Sequence, residues 1–434
     1  MWQRRYLFIL AHSHLISTNP LKKPLSIAIL SYRSAPFGGG QGIYIYELSR
    51  ALSGLGHQVD VISGPPYPDL ISDVKLIELP GLNLFSTFDF KERVKIFIRQ
   101  KGKSLDDWYE FMSTLLGGFP ELKTFGNRAY IFLKSQKYDV VIDNQSISYG
   151  MLGIQALIPF VEIIHHPITR DYYYDIKFSK GIVQRLSKMR WHSFLRMQKK
   201  VAKKIQVIVT PSFNSKADIN LDFEVPMENI QVIHNGIDSN IFCPSPTISS
   251  TPHKIITTAS ADVPLKGLDF TLYAMAKLKL EYPDIQLIVI GSPRPGGHTE
   301  RLIKDLALGK QVSFKTNLTK QEIAEEYAHS AAAVVSSLYE GFGFPVGEAM
   351  ACAIPLVASN IASIPEITGP FAQLIMPADA DAIYRGIKNI FQNPEKYKIQ
   401  ADLGRQHIIE YFNWRTIGLE YEKLLYKTID KFTC

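Results

Sequence analysis

The sequence predicts an α/β protein made of two doubly wound, parallel-sheet domains facing each other across a cleft. Three observations carry this expectation. From Leu25 the chain runs through "LSIAILS", "APFGGGQG", "IYIYELSRALSGL", "GH" and "QVDVIS": an apolar strand, a glycine-rich loop, an amphipathic helix, its stop and a second strand. That order is a βαβ unit, the building block of a parallel sheet covered by helices on both faces. A second series of the same kind follows "SNIFCPSPTISSTPHK", a proline and serine stretch that reads as an exposed linker. The chain has 434 residues, 46% hydrophobic and 21% charged, enough for two domains of about 200 residues each.

The segment 1–21, "MWQRRYLFILAHSHLISTNP" and Leu21, places Arg4 and Arg5 ahead of a short apolar run that His12 and His14 interrupt. The run is shorter than the core of a secretory leader, so an extended or disordered start is expected, with the fold beginning near Lys22. In the first domain, residues 22–235, further buried strands are expected at "YDVVIDN" (138–144), "FVEIIHH" (160–166) and "IQVIVTPS" (205–212). Each ends on a polar or small residue, where ligands sit in open α/β sheets. A linker at 236–253 leads to a second domain at 254–410, with "KIITTAS", "LDFTLYAMAKLKLEYP", "IQLIVIGS", "VSFKT", "TKQEIAEEYAHS" and "AAAVVSS" as its elements. The end, 411–434, carries Trp414, Ile417, Tyr421, Leu424 and Leu425 at helical spacing, which predicts a final helix.

Several function classes drop out on composition. Cys243, Cys352 and Cys434 are odd in number and share no metal-type spacing, so neither a disulfide framework nor a zinc site is supported and a reducing, cytoplasmic setting is expected. No stretch approaches the roughly 20 apolar residues of a spanning helix. The net charge of +7 is local: eleven Lys or Arg and no Asp or Glu lie between residues 176 and 217, leaving 37 basic against 41 acidic elsewhere. Nucleic acid is disfavoured because no recognised binding module accompanies that charge.

Three motifs carry chemistry. Gly38, Gly39, Gly40, Gln41 and Gly42 lie between a strand and a helix, where free backbone N–H groups and the helix dipole favour an anion. Dinucleotide binding fits poorly, since the third glycine of G-x-G-x-x-G falls at Ile43 and the second strand ends in Ser63, and a Walker loop is excluded for want of G-K-[ST]. "PLKGLDF" puts Lys266 and Gly267 just before a helix, a place that suits a phosphate, although a lone loop lysine is usually solvated. "YEGFGFPVGEA" holds Glu340 and Glu348 on either side of a glycine-rich turn, with Pro345 in the first turn of a helix and Glu348 in its first-turn region. Paired acid and base groups, hydroxyl-gripping carboxylates and a plain helix cap all remain open on these residues alone.

Together the glycine loop, a strand-terminal histidine, "PSFNSK", "VIHNGID", "KG" and the E-x7-E segment resemble the retaining GT-B glycosyltransferases of family 4, over nearly everything from Lys22 to Asp430. The "GFGFP" core and the "HNGID" hinge are the more specific parts. The resemblance implies two Rossmann-like domains with the final helix crossing back to the first. It implies a catalytic set of His165, Glu340 and Lys266, with Glu348 binding the ribose hydroxyls of a nucleotide-sugar donor and Glu340 near the transferred sugar. The backbone of Gly341, Phe342, Gly343 and Phe344 would contact that sugar, and Lys266 would hold the diphosphate with the amides of Gly39 and Gly40. His166 and Arg170 would lie on the acceptor side, and no metal or other cofactor is expected. Residues 292–297 and 313–317 are placed near the base. Many members carry an arginine five residues before the lysine, and that position is Ala261 here. Within the fold, phosphorolysis or nucleotide-sugar epimerisation are related reactions, and a non-catalytic sugar-nucleotide sensor or scaffold is the alternative from another class.

The acceptor implied is a sugar, a glycan or a lipid-linked molecule. Within 177–204, "QRLSKMRWHSFLRMQKKVAKKI" spaces Leu186, Met189, Phe194, Met197 and Val201 near one helical face with basic groups largely opposite. Such a helix can lie on an anionic membrane surface, and equally describes an ordinary packed helix with a solvated face.

Overall fold

The computed structural model describes residues 23–35, 40–179, 181–259 and 262–433. The expected start at 1–21, Gly39 and Ala261 therefore lie outside the described residues.

The first lobe runs β1 (Ser26–Ser31), α1 (Gly40–Gly54), β2 (Gln58–Ser63), β3 (Lys75–Glu78), α2 (Phe90–Arg99), α3 (Leu105–Leu115), α4 (Glu121–Leu133), β4 (Val140–Asn144), α5 (Tyr149–Gln155), β5 (Phe160–Ile163), α6 (Thr169–Lys177), α7 (Ile182–Trp191), α8 (Leu195–Ala202), β6 (Ile208–Thr210), α9 (Phe213–Phe223) and β7 (Ile230–Val232). Its seven strands pair in parallel in the order β3-β2-β1-β4-β5-β6-β7. Ile27, Ile29, Val61, Val140, Ile142, Val161 and Val209 are buried in one core over one face, while Ala28, Leu30, Ile62, Val141 and Ile208 belong to the core over the other. That two-sided burial is why these strands read as continuous apolar runs.

The second lobe runs β8 (Thr251–Thr258), α10 (Leu268–Glu281), β9 (Gln286–Ile290), α11 (His298–Asp305), β10 (Val312–Lys315), α12 (Lys320–Ala328), β11 (Ser330–Val335), α13 (Phe344–Ala351), β12 (Leu356–Ser359), α14 (Ile364–Thr368), β13 (Gln373–Ile375), α15 (Ala380–Gln392), α16 (Pro394–Tyr411) and α17 (Trp414–Thr433). The parallel order is β10-β9-β8-β11-β12-β13. β8 starts at Thr251, so it takes in the last residues of the proline and serine stretch.

In each sheet the chain reverses its direction of growth once, between β1 and β4 and between β8 and β11. Loops that leave the carboxyl ends of such neighbouring strands diverge and open a crevice. The glycine loop follows β1, Lys266 follows β8 and the E-x7-E segment follows β11, so the topology gathers all three motifs at the crevices. The carboxyl ends face each other: a Cβ added to Gly341 would sit 2.8 Å from the His165 carbonyl oxygen after β5.

α17 packs on the first lobe. Tyr421 and Tyr44 of α1 share a hydrogen bond between their hydroxyls at 2.5 Å, and the Tyr426 hydroxyl donates to the Lys23 carbonyl at 2.7 Å. Trp414, Ile417, Tyr421 and Leu425 are buried, whereas Leu424 packs at the margin.

One expected element is corrected. The single basic helix through 184–205 is instead α7, a 3-10 turn at His192–Phe194, and α8. Trp191 packs edge-on against Phe85 and tilted against Phe119, and His192 Nε2 meets Asp175 Oδ2 at 3.0 Å, so tertiary contacts bend the chain there. The apolar face splits with it: Met197 and Val201 are buried and Phe194 packs at the edge of the core, while Leu186 and Met189 are exposed and α7 buries nothing.

Candidate active site at the cleft

The K-G dipeptide is a close-approach device. Gly267 has φ of 63°, and a Cβ there would lie 2.0 Å from the Ser336 carbonyl oxygen, so only glycine lets this turn reach the end of β11. The Leu338 N–H donates to the Leu265 carbonyl at 2.7 Å and the Ser336 hydroxyl to the Gly267 carbonyl at 3.0 Å, fixing the contact. Lys266 Nζ thereby reaches Glu340 Oε1 at 2.7 Å, and the Ser337 hydroxyl donates to the same oxygen at 2.7 Å. The two residues expected to act on the diphosphate and on the sugar are one ion pair.

The segment after Glu340 is divided in its hydrogen bonding. The Gly341 carbonyl accepts from the Ser212 hydroxyl at 2.9 Å and the Ser215 hydroxyl at 3.2 Å, both on the first lobe. The Ser363 hydroxyl donates to the carbonyls of Glu340 at 2.9 Å and Phe342 at 2.5 Å. Among the described residues, no acceptor takes the N–H groups of Gly341, Phe342, Gly343 or Phe344. Gly343, at φ of 106°, opens α13, and Pro345 occupies its first turn. The Phe342 ring is buried against Phe344 and Phe412, so only its backbone is at the surface of the cleft. Gly40 opens α1, and a Cβ there would meet the Phe344 ring at 3.8 Å.

Glu348 sits in the second turn of α13, one turn deeper than its first-turn expectation. Burial pushes its carboxyl up to about 7, and the nearby Lys320 ammonium pulls the other way. Among the described residues nothing hydrogen-bonds its side chain. Lys320 was not anticipated from the sequence: it opens α12, reaches Glu47 Oε1 of α1 at 2.5 Å and lies over the Tyr46 ring. A lysine at a helix start carries no signal of its own, and its partner is 273 positions away.

His165 follows β5. Its N–H donates to Gln145 Oε1 at 2.9 Å, and its Nε2 meets Asn144 Oδ1 at 2.8 Å, which leaves Nδ1 with its lone pair. The Tyr44 ring stands edge-on at 4.5 Å. Burial, and then the neighbouring His166, lower its pKa to about 3, so the ring is neutral. Behind it, on paired positions of β4 and β5, lie Asp143 and Glu162, both fully buried. Burial raises both carboxyls, and Glu162 is raised further by the charge of Asp143. Asp143 Oδ2 accepts from the N–H and hydroxyl of Ser146 at 2.9 and 2.7 Å, so this pair shapes the loop that carries Asn144 and Gln145. The signal for it was a carboxylate inside each of two apolar strands.

His166 Nε2 meets Asp171 Oδ2 at 2.8 Å, and its ring lies 5.7 Å from that of Tyr339. Arg170 is taken up by Asp218 at 2.6 Å and Asp222 at 3.3 Å, and the Tyr339 hydroxyl donates to the other oxygen of Asp218 at 2.8 Å. The guanidinium expected on the acceptor side is thus paired within its own lobe. In the second lobe, Asp262 ties the loop at 292–297 by accepting from the N–H groups of Arg294 and Thr299, each at 3.0 Å, while Lys315 is paired with Glu326.

Comparison with known proteins bears on this arrangement. The model of Glycosyltransferase Family 4 matches residues 38–241, and that of Glycosyl transferases group 1 matches residues 246–407. An MMP α-(1→4)-mannosyltransferase of Mycolicibacterium hassiacum is 38% identical over 412 residues, 92% of this chain and 98% of that protein. A sucrose-phosphate synthase of Thermosynechococcus elongatus superposes with a TM-score of 0.71 at 20% identity, covering 94% of this chain and 100% of that one. Anabaena Alr3699/HepE in complex with UDP and glucose gives 0.68 at 16%, covering 93% and 99%. With one family model on each lobe, a relative aligned along nearly its whole length and the two facing sheets of a GT-B fold, the chain belongs to the group 1, family 4 glycosyltransferases.

Proposed function

We propose that the enzyme moves a sugar, mannose in the first instance, from a nucleoside-diphosphate donor to a glycan hydroxyl with retention of anomeric configuration. The observation that carries this reading is the run of four unengaged N–H groups at 341–344 beside the Lys266–Glu340 pair. The name of the mannosyltransferase relative supports the sugar and an α-linkage, and the UDP and glucose in the Anabaena protein support a nucleotide-sugar class of donor. An α-linked product formed from an α-linked donor is retention.

In this reading the bond from sugar C1 to the diphosphate oxygen breaks, and the acceptor oxygen bonds C1 on the same face. The acceptor proton passes to the departing phosphate oxygen. Lys266, with the amides of Gly39 and Gly40, stabilises the charge that grows on the diphosphate, while the amides at 341–344 and Glu340 hold the sugar. Glu348 takes the ribose hydroxyls. Neutral His165 accepts a hydrogen bond at Nδ1 without adding charge, and lobe closure keeps water from the donor. The chain does this without a bound metal. Lys266→Ala should lower donor turnover by at least about 100-fold, the scale of losing one preorganised charge-stabilising group. Turnover equal to wild type removes the assignment, and dialysis against EDTA should leave wild-type activity unchanged. A donor-binding sensor would instead bind nucleotide sugar and release no nucleotide over hours.

For the acceptor, a lipid-linked glycan at an anionic bilayer surface is a second reading favoured by α7. Ile182, Val183, Leu186 and Met189 are exposed there, flanked by Arg185, Lys188 and Arg190.

A further inference from the structure

α9 begins at Phe213, behind Ser212, whose hydroxyl accepts from the Ser215 N–H at 3.0 Å. The first N–H groups of a helix have no partner inside it. Here they are met from the other lobe: Glu366 of α14 accepts from Phe213 N at 2.8 Å with Oε2 and from Asn214 N at 2.8 Å with Oε1. The carboxylate spans more than 150 positions of sequence to cap a helix it does not belong to. His234 Nε2 flanks it at 3.7 Å. Immediately before that short helix, Ser363 holds the carbonyls of Glu340 and Phe342. The same turn of α9 holds the Gly341 carbonyl through Ser212 and Ser215. The segment that offers its amides is therefore gripped by α14 on one side and α9 on the other, and Glu366 is the charged link between the two grips.

We infer that Glu366 is a positioning residue for sugar transfer: by capping α9 across the cleft it seats the first lobe on the 341–343 segment and sets the closed geometry. This rests on the reading of the site given above. Its contacts are two charge-assisted hydrogen bonds to backbone N–H groups, and both sides can rehydrate when the lobes part, so the link can break and re-form without opening either core.

The test uses a substitution that removes one N–H together with an exposed ring, and a second that removes the ring alone. Phe213 is the first residue of α9, where proline is well tolerated, and Ser212 is already extended at φ −155° and ψ 155°, as a residue before proline must be. Wild type, Glu366→Gln, Phe213→Pro, the double variant and Phe213→Ala as a control for the ring are compared by nucleotide release from GDP-mannose and UDP-glucose and by small-angle scattering. Each of Glu366→Gln and Phe213→Pro should lower kcat about 10- to 100-fold, the scale of a charged hydrogen bond, with donor KM within about threefold and the thermal midpoint retained. The double variant should be no worse than the poorer single one, and the radius of gyration should rise in all three. Phe213→Ala should match wild type. Multiplying losses, a loss confined to KM, or unchanged scattering in Glu366→Gln overturns the inference. If wild type releases nucleotide from no donor, the proposed function fails while the scattering comparison still decides the link.

Discussion

Glu348 illustrates a residue whose folded environment and whose task pull in opposite directions. Its carboxyl is raised to about 7 by burial, above the ordinary value of 4.5, so the ligand-free fold loses stability as pH climbs through that interval. A neutral replacement escapes that loss. Glu348→Gln should raise the thermal midpoint by about 2–4 °C at pH 8.5, leave it nearly unchanged at pH 4, and weaken nucleotide binding at neutral pH, read by scanning calorimetry and titration. Gly267 is the opposite case, a residue with no side chain whose absence of atoms matters. Gly267→Ala places a methyl 2.0 Å from the Ser336 carbonyl at positive φ, which should cost about 1–3 kcal/mol in stability and, by moving Lys266, most of the turnover. Neither Lys320 nor Glu366 could be found from sequence, because each earns its place through a partner in the other lobe.

Among the elements, β1, β4, β9 and α17 were legible because burial on one or both faces leaves a plain periodicity. The motifs at 266–267 and 340–348 were legible because glycine and proline mark the turn that positions them. α2 and α3 were not, since Phe90, Ile98, Leu105, Trp108 and Met112 point outward and blur the apolar stripe on which the reading depends. α7 was legible only as an amphipathic basic stretch that suited a membrane face and a packed face alike; Leu186 and Met189 are exposed. If that face meets an anionic bilayer, wild type should float with phosphatidylglycerol vesicles at low salt. Leu186→Glu with Met189→Glu should abolish flotation while leaving turnover of a soluble donor intact. Flotation unaffected by the double change would assign α7 another role.

For the whole molecule, the two lobes are joined by ion pairs as well as by the glycine segment. Lys320 of the second lobe meets Glu47 of the first, and Arg50, beside Glu47 on α1, reaches Asp238 of the connecting segment. Exposed pairs of this kind weaken with salt, buried ones less. Deleting 414–433 should be far more damaging than any of these losses. It strips Tyr44, Leu48 and Leu52 of their cover, and the shortened chain should unfold at a markedly lower temperature or be recovered only as aggregate, checked by thermal melts and size-exclusion chromatography.

The return of α17 also has a consequence for biosynthesis. A ribosome delivers the α/β units of the amino-terminal half long before it delivers the helix that shields Tyr44, so that half waits, with an apolar flank uncovered, through the synthesis of everything else. Nascent chains stalled before residue 414 should accordingly attract chaperones that bind greasy surfaces, and release them once residues 414–433 emerge.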